Sequence, residues 1–460
     1  MVHSKCLRVG RVTLYSRGKT WCLRYFEKGR RRQVRVGPDK NAARQLAAQV
    51  NAQLEVGAPA ATSFEPIGIP ELRTRWLEHH EHVLRSSVST IDRYRSASEH
   101  LLRFIRDVQP IKHVSQFRET HAEACVRYLR ELKVAPNGHA HTAKRHLKDK
   151  GIKFVLEVCR TLFSFALKRR HLPPYSENPF TTIQIDRIPI EDAKPITLFT
   201  AEQECQFLEA CDDWQLPIFA TLMYTGMRPG ELTHLLLPEN VNLGEGWVHV
   251  RNKPELGWQV KTRNERQSPL IPELVEILHL RFRDRCTGPL FQRRRSEVGE
   301  GCAMAKLASA PLRAELERRN ALQNMGLKGV DRAQQRRLAK RLWVEMGFLR
   351  EDRLRGEFMK LTAAIGLPHV TAPKSLRHMF ATRLQETNVD PLIRNQLMGH
   401  IPFGDAKGKG PLGMTGIYTH ASPATIRRQL FDAMRTRPAT EILQRWLKRH
   451  APTDSAQSDG

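Results

Sequence analysis

Between Thr371 and His420 the chain carries residues whose types and spacing fit chemistry on a phosphate. In TAPKSLRHMFATRL, Lys374, Arg377 and His378 lie three and four positions apart, so on a helix they cluster near its first turn. Pro373 suits that first turn, where its missing N–H would be unpaired anyway. Leu376, Met379, Phe380 and Leu384 recur at helical spacing as the buried stripe. A helix N-terminus already carries free N–H groups and the positive end of the dipole, so added cations make sense opposite an anion. Asp390-Pro391 opens a second helix, Gly399 closes it, His400 follows directly, and Tyr418 stands next between Ile417 and Thr419. Cations, a histidine and a tyrosine in that order point to phosphate chemistry with a tyrosine nucleophile. Upstream, Arg228 in GMRPGEL falls at a loop-to-helix junction between two apolar segments, a setting that suits a positioned phosphate clamp. Lys261, before the turn Thr262-Arg263-Asn264, reads by itself as a solvated hairpin lysine.

The elements that must position these groups are legible from periodicity. Thr200 and Gln203 form a capping box that opens a domain. Leu216–Tyr224 is an apolar helix ended by Gly226, and Leu232, Leu235 and Leu236 face inward on the next. Trp247–Val250, Trp258–Lys261 and Gln267–Ile271 read as short strands. Residues 281–360 are rich in arginine and mostly helical, with Arg293-Arg294-Arg295 and Arg336, Arg337, Lys340 and Arg341, either a DNA-contacting segment or an elaborated surface. Ala439–His450 is an amphipathic helix that docks either on its own domain or on a neighbouring copy, and residues 451–460 read as disordered.

Two modules precede this domain. Residues 1–57 hold thirteen Lys/Arg against three Asp/Glu. Val9–Ser16, Thr20–Lys28 and Arg32–Val36 alternate as a three-stranded meander, followed by a helix over Asn41–Leu54, a basic sheet able to lie against a DNA groove. Gly57–Pro70 reads as a linker. Residues 71–190 are helical, with Ile91–Ile105, Ala122–Leu132 and Phe154–Arg170 as the clearest segments and basic faces able to neutralise duplex phosphates.

Composition narrows the function classes. The 460 residues carry 75 Lys+Arg against 48 Asp+Glu, a formal charge of +27, which favours a polyanionic partner, nucleic acid above all. The eight cysteines form no C-x-x-C pair and fit reduced thiols in the cytoplasm. No apolar run approaches the ~20 residues that span a bilayer, and the N-terminus lacks a signal-peptide core. His79 and His82 are three apart, but without the H-E-x-x-H order a metal there is disfavoured. His139, His141 and His146 read as exposed or near DNA. Gly404-Asp-Ala-Lys-Gly408-Lys409-Gly410 has one spacer too few and no Ser/Thr for a P-loop, so neither metal nor nucleotide cofactor is implied.

In their order, TGMRPGEL, LRHMFAT, LMGH and YTHAS resemble the catalytic domain of the tyrosine recombinase (phage integrase) family, over about Phe199–Ser422. The helical module with its FALKRRHL…ENPF ending resembles, less specifically, the family's core-binding domain, and the basic sheet its arm-type domain. The fold expected from the resemblance is mainly α and multidomain. It has a small three-stranded N-terminal DNA-binding domain (1–58), a linker (59–70), a helical core-binding domain (71–190), an α-rich catalytic domain with a small sheet (191–437) and a C-terminal helix and tail (438–460). The resemblance implies Arg228 and Arg377 as catalytic arginines, Glu231 as supporting acid, Lys261 as the hairpin lysine, His400 at the later His/Trp position and Tyr418 as nucleophile, with His378 supporting. Lys374 departs from the pattern by standing where the family usually has histidine. It is a third phosphate contact or, if deprotonated, a base. His400 and Tyr418 are also farther apart than usual, across Ile401–Gly416.

The implied activity is site-specific cleavage and rejoining of double-stranded DNA through a 3′-phosphotyrosyl bond, integrating or excising a mobile element. It requires no ATP, because the covalent bond retains the energy of the cut linkage. Expected partners are attachment-site DNA, three further copies in a homotetramer and accessory DNA-bending or directionality proteins, with no membrane. The alternatives are a type IB topoisomerase, which relaxes supercoils without exchanging partners, and an inactive recombinase-derived DNA-binding protein.

Overall fold

In the computed structural model the chain divides into two compact units, Met1–Lys194 and Pro195–Gly460. The structure describes residues 6–135, 141–174, 176–193, 195–282, 285–298, 303–324, 331–400 and 421–451. The architecture is mainly helical with a small antiparallel sheet at the N-terminus. Among the described residues no helix is long and apolar enough to cross a membrane.

The first unit opens with four strands, not three: β1 (Cys6–Val9), β2 (Val12–Arg17), β3 (Thr20–Glu27) and β4 (Arg30–Gly37), paired antiparallel in chain order. The extra strand arises at Gly10, whose φ of +56° turns what reads in sequence as one strand into a hairpin. A side chain there would lie 2.2 Å from Asn51 Oδ1, which instead accepts the Arg11 N–H at 2.7 Å. Helix α1 (Lys40–Glu55), capped by the Asp39 carboxylate, buries Ala43, Ala47 and Val50 against Val12, Leu14, Leu23 and Tyr25. The Pro/Ala/Gly segment that follows is pinned in place. Glu27 accepts the Ala60 N–H (2.9 Å) and the Ser63 hydroxyl (2.7 Å), and the Glu65 N–H donates to the Arg170 carbonyl (2.7 Å).

Next come α2 (Ile69–Glu78), α3 (Val88–Asp107), α4 (Glu119–Glu131), a two-residue ladder of β5 (Lys133–Val134) with β6 (Arg145–His146), and α5 (Asp149–Lys168). Trp76, Phe104, Phe117, Phe163 and Phe180 fill their common core, and truncating one such ring typically costs about 3–5 kcal/mol. The ENPF ending is anchored by buried Asn178, which donates to the Arg160 carbonyl and the Ser164 hydroxyl and accepts from the Phe180 N–H.

The second unit contains α6 (Ala201–Glu209), α7 (Gln215–Thr225) and α8 (Pro229–Thr233). They are followed by β7 (Leu236–Leu237), β8 (Val241–Asn242), β9 (Trp247–Val250), β10 (Arg266–Pro269), α9 (Pro272–Phe282) and β11 (Gly288–Pro289). The helical remainder is α10 (Arg294–Val298), α11 (Ser309–Asn324), α12 (Arg332–Glu345), α13 (Glu351–Ala364), α14 (Lys374–Glu386), α15 (Pro391–Met398), α16 (Pro423–Arg435) and α17 (Thr440–His450). Every residue of α7 is buried, which is why it is apolar on all sides, and α14 packs along it. The Thr200–Gln203 capping box forms reciprocally at 3.2 and 3.0 Å.

The C-terminal helix docks on its own unit. Ile442, Leu443 and Trp446 of α17 are buried, and Trp446 Nε1 donates to Asp213 at 2.8 Å. Just before it, fully buried Arg437 clamps Glu204 with two bonds of 2.8 and 2.7 Å and donates to the Met223 carbonyl. Residues 452–460 lie outside the described residues.

Candidate active site

The site is built where α7 ends. Gly226 closes that helix at φ +59°, and a Cβ there would sit 2.2 Å from the Phe380 ring, so both conformation and space demand glycine. Two residues on, Arg228 is the N-cap of α8 and is held by Glu231. Its backbone N–H donates to Oε2 at 2.9 Å, and its Nη1 to Oε1 at 2.7 Å. The expected arginine and its supporting acid are therefore one unit, fixed by Pro229 at the first helical position.

A third partner, Arg266, was not singled out in the sequence. Its Nη2 donates to Glu231 Oε2 at 2.6 Å and its Nε to the Leu397 carbonyl at 2.9 Å, while its Nη1 is buried without a partner. It sits at an inward position of β10, paired with Val250, and a cation in the inward phase of a strand is the signal that marks it. Gly399 makes room for it, since a Cβ there would lie 2.7 Å from Nη1.

Arg377, on the first turn of α14, is only 3% exposed. Its Nη1 donates to the Gly226 carbonyl at 2.6 Å and its Nη2 to the Met398 carbonyl, with His400 Nε2 at 3.5 Å. Helix α15 forms as the sequence indicates, with Asp390 accepting the Leu392 N–H and Gly399 in the left-handed conformation. The His400 N–H then returns to the Asn395 carbonyl at 3.0 Å and fixes the residue beside Arg377. Two guanidiniums thus bond one carboxylate, and a third, Arg377, lies within reach of its charge.

The electrostatics follow from that count. Burial alone would raise the Glu231 carboxyl, but the bond and charge of Arg266 and the bonds from Arg228 outweigh it and hold the group below the ordinary 4.5. Burial, and then Arg228, push the Arg377 guanidinium down to about 10, which still leaves it charged at neutral pH. Partial burial, then the charges of Arg377, Arg228, Arg266 and Lys374, keep the His400 imidazole below 6.5. His378, half-buried one turn into α14, is lowered by burial and by Lys374 and Arg377. The cluster carries excess positive charge that an anion of the right shape would satisfy.

Two lysines flank it differently. Lys374 is the exposed first residue of α14. Lys261 is exposed in the turn before β10, and its neighbour Thr262 donates to the Gly399 carbonyl at 3.4 Å, tying that turn to the residue before His400. Trp258–Lys261 is not a strand. Pro254 and left-handed Gly257 break the ladder, leaving a 3-10 turn at Pro254–Leu256 and a single bridge between Lys253 and Trp258. Lys253 itself is buried over the Trp258 ring, and burial pushes its ammonium down to about 8 against the pull of Glu239, Glu255 and Glu265. Tyr418 and the whole of 401–420 lie outside the described residues.

The histidines at 79–82 belong to a π-helical end of α2. His79 packs on Phe165, and His80 lies between Trp76, Tyr94 and the Ser86 hydroxyl.

No protein-family model and no curated protein matches the chain. Among solved structures it is similar to a Tn1549 transposon integrase fragment in complex with circular-intermediate DNA, at 16% identity and a TM-score of 0.46 over 79% of this chain and 99% of that one. It is also similar to a lambda integrase tetramer bound to a Holliday junction (15%, 0.43, 86% and 93%). A third similarity is to an integrase from mycobacterium phage Brujita (15%, 0.33, 82% and 97%). All three of these solved structures are of integrases.

Proposed function

We propose that this chain is a site-specific DNA recombinase that cuts and rejoins strands through a 3′-phosphotyrosyl intermediate. The observation that carries the reading is the Arg228–Glu231–Arg266 unit set beside buried Arg377 and His400, with more cationic than anionic charge. Arg228 and Arg377 bind the two non-bridging oxygens of a phosphodiester and take up the charge that grows on them in the transition state. A free tyrosine has a pKa near ~10, and the cations around the phosphate make its phenolate accessible. The Tyr418 oxygen bonds to phosphorus as the bond to the 5′-oxygen breaks. Lys261 delivers a proton to that leaving oxygen, and His400, neutral at physiological pH, hydrogen-bonds the phosphoryl group. Attack by another strand's 5′-hydroxyl reverses the step and reseals the DNA.

Lys374, at the open start of α14, is a third phosphate contact in this scheme. The basic N-terminal sheet and the helical module grip the flanking duplex, four copies assemble on paired sites, and accessory DNA-bending or directionality proteins set the outcome. The setting is a mobile element's DNA in the cytoplasm. The test is incubation with a nicked attachment-site duplex. A covalent protein–DNA adduct is expected from wild type and none from Tyr418→Phe.

A further inference from the structure

Helices α11 and α12 form a pair with its own core, in which Leu312, Leu316, Leu338, Leu342, Trp343 and Phe348 pack together. The pair treats charge in two ways. On α11, Arg313 pairs with Glu317, and Arg318 and Arg319 share Glu315, all at 2.7–2.8 Å. On α12 the sequence RAQQRRLAKRLWVE has five cations and one acid, Glu345, which is already bonded to Arg319 of α11 at 2.7 Å. Among the described residues Arg337 pairs with the exposed Asp331 at 3.7 Å, and Lys340 and Arg341 make no ion pair.

Arg337, Lys340 and Arg341 are three and four positions apart and exposed, so like charges repel along one face of the helix. The opposite face is locked. Trp343 Nε1 donates to the Leu256 carbonyl at 2.9 Å, its ring lies 4.6 Å from that of His234, and a Cβ on Gly257 would meet Ala339 at 2.4 Å. The cations therefore stand on a fixed rod rather than a loose tail.

We propose that the outer face of α12 is a docking surface for the phosphate backbone of duplex DNA, outside the cluster around Arg377. The inference rests on the reading of this chain as a DNA-acting protein. A row of exposed cations, only one of them loosely paired, on a rigid helix complements a polyanion with regularly repeated charges, and each phosphate neutralised releases counterions.

The experiment measures the salt dependence of binding of the full-length chain to a random-sequence duplex. Replacing Arg337, Lys340 and Arg341 by glutamine should lower the slope of log K against log salt by roughly 2–3, with about 0.9 lost for Lys340→Gln alone. The gap between wild type and the triple variant should then close by roughly tenfold or more between about 50 and 200 mM salt. An Arg313→Gln/Arg318→Gln variant on α11 should leave the slope unchanged. Equal slopes for wild type, Lys340→Gln and the triple variant would overturn the assignment, as would a slope change with single-stranded RNA but not duplex. Wild type that binds no duplex would overturn the DNA-acting reading itself.

Discussion

Arg228 and Arg266 hold the same carboxylate from opposite oxygens: Arg228 Nη1 lies 2.7 Å from Glu231 Oε1, and Arg266 Nη2 lies 2.6 Å from Oε2. The acid thereby ties half-buried Arg228 to fully buried Arg266. Glu231→Ala would leave the Arg266 charge buried and uncompensated. Urea unfolding should show a loss of roughly 3–5 kcal/mol, typical of breaking a buried pair from one side. A loss no greater than that of a surface substitution would contradict the pairing.

The same carboxylate sets a pH dependence. Its folded value is below the ordinary 4.5, so its stabilising effect is complete above that value and fades as pH falls through the folded one. Stability of wild type should drop on acidification below about 4.5, and Glu231→Gln should flatten that part of the curve. Parallel wild-type and variant profiles would show that Glu231 does not titrate as described.

Arg266 should act by positioning. Arg266→Lys keeps the charge but cannot bond Glu231 and the Leu397 carbonyl together in the same fork geometry. The rate of adduct formation should fall by roughly 10² while the affinity for duplex stays near wild type. Loss of affinity with an unchanged rate would instead make Arg266 a binding residue.

His400 should titrate below 6.5, because burial and the cations around it disfavour the imidazolium. An NMR titration of the imidazole tests this, and Arg228→Gln should raise the midpoint by removing one of those charges. A wild-type midpoint above 6.5 would mean that a nearby anion dominates instead.

Lys374→Ala should leave the thermal transition unchanged, because the side chain is exposed, and should slow cleavage by removing a phosphate contact. Cleavage at the wild-type rate would remove Lys374 from the site altogether.

Local signals made the scaffold of the site legible in the sequence. Thr200 with Gln203, Gly226, and Asp390-Pro391 with Gly399 each set a helix end through bonds or backbone angles within a few residues, and all form as read. Pairings between distant segments were not legible. Arg266 meets Glu231 across 35 positions, and Arg437 meets Glu204 across 233; the inward phase of its strand hints that Arg266 is buried, but nothing in the sequence names the partner of either arginine. The strand read at Trp258–Lys261 failed for a related reason. Alternation suggests a ladder, but Pro254 and Gly257 turn the connection, and β9 pairs instead with β8 on one side and β10 on the other. The fourth N-terminal strand depended on Gly10 meeting Asn51, again a tertiary contact.

In the proposed reaction Tyr418 becomes covalently joined to DNA. The direct measurement is a denaturing gel of the full-length chain incubated with a nicked attachment-site duplex. A band of slowed mobility that disappears with protease, and is absent in Tyr418→Phe, is the predicted result. No such band from wild type, or one that persists in Tyr418→Phe, would contradict it.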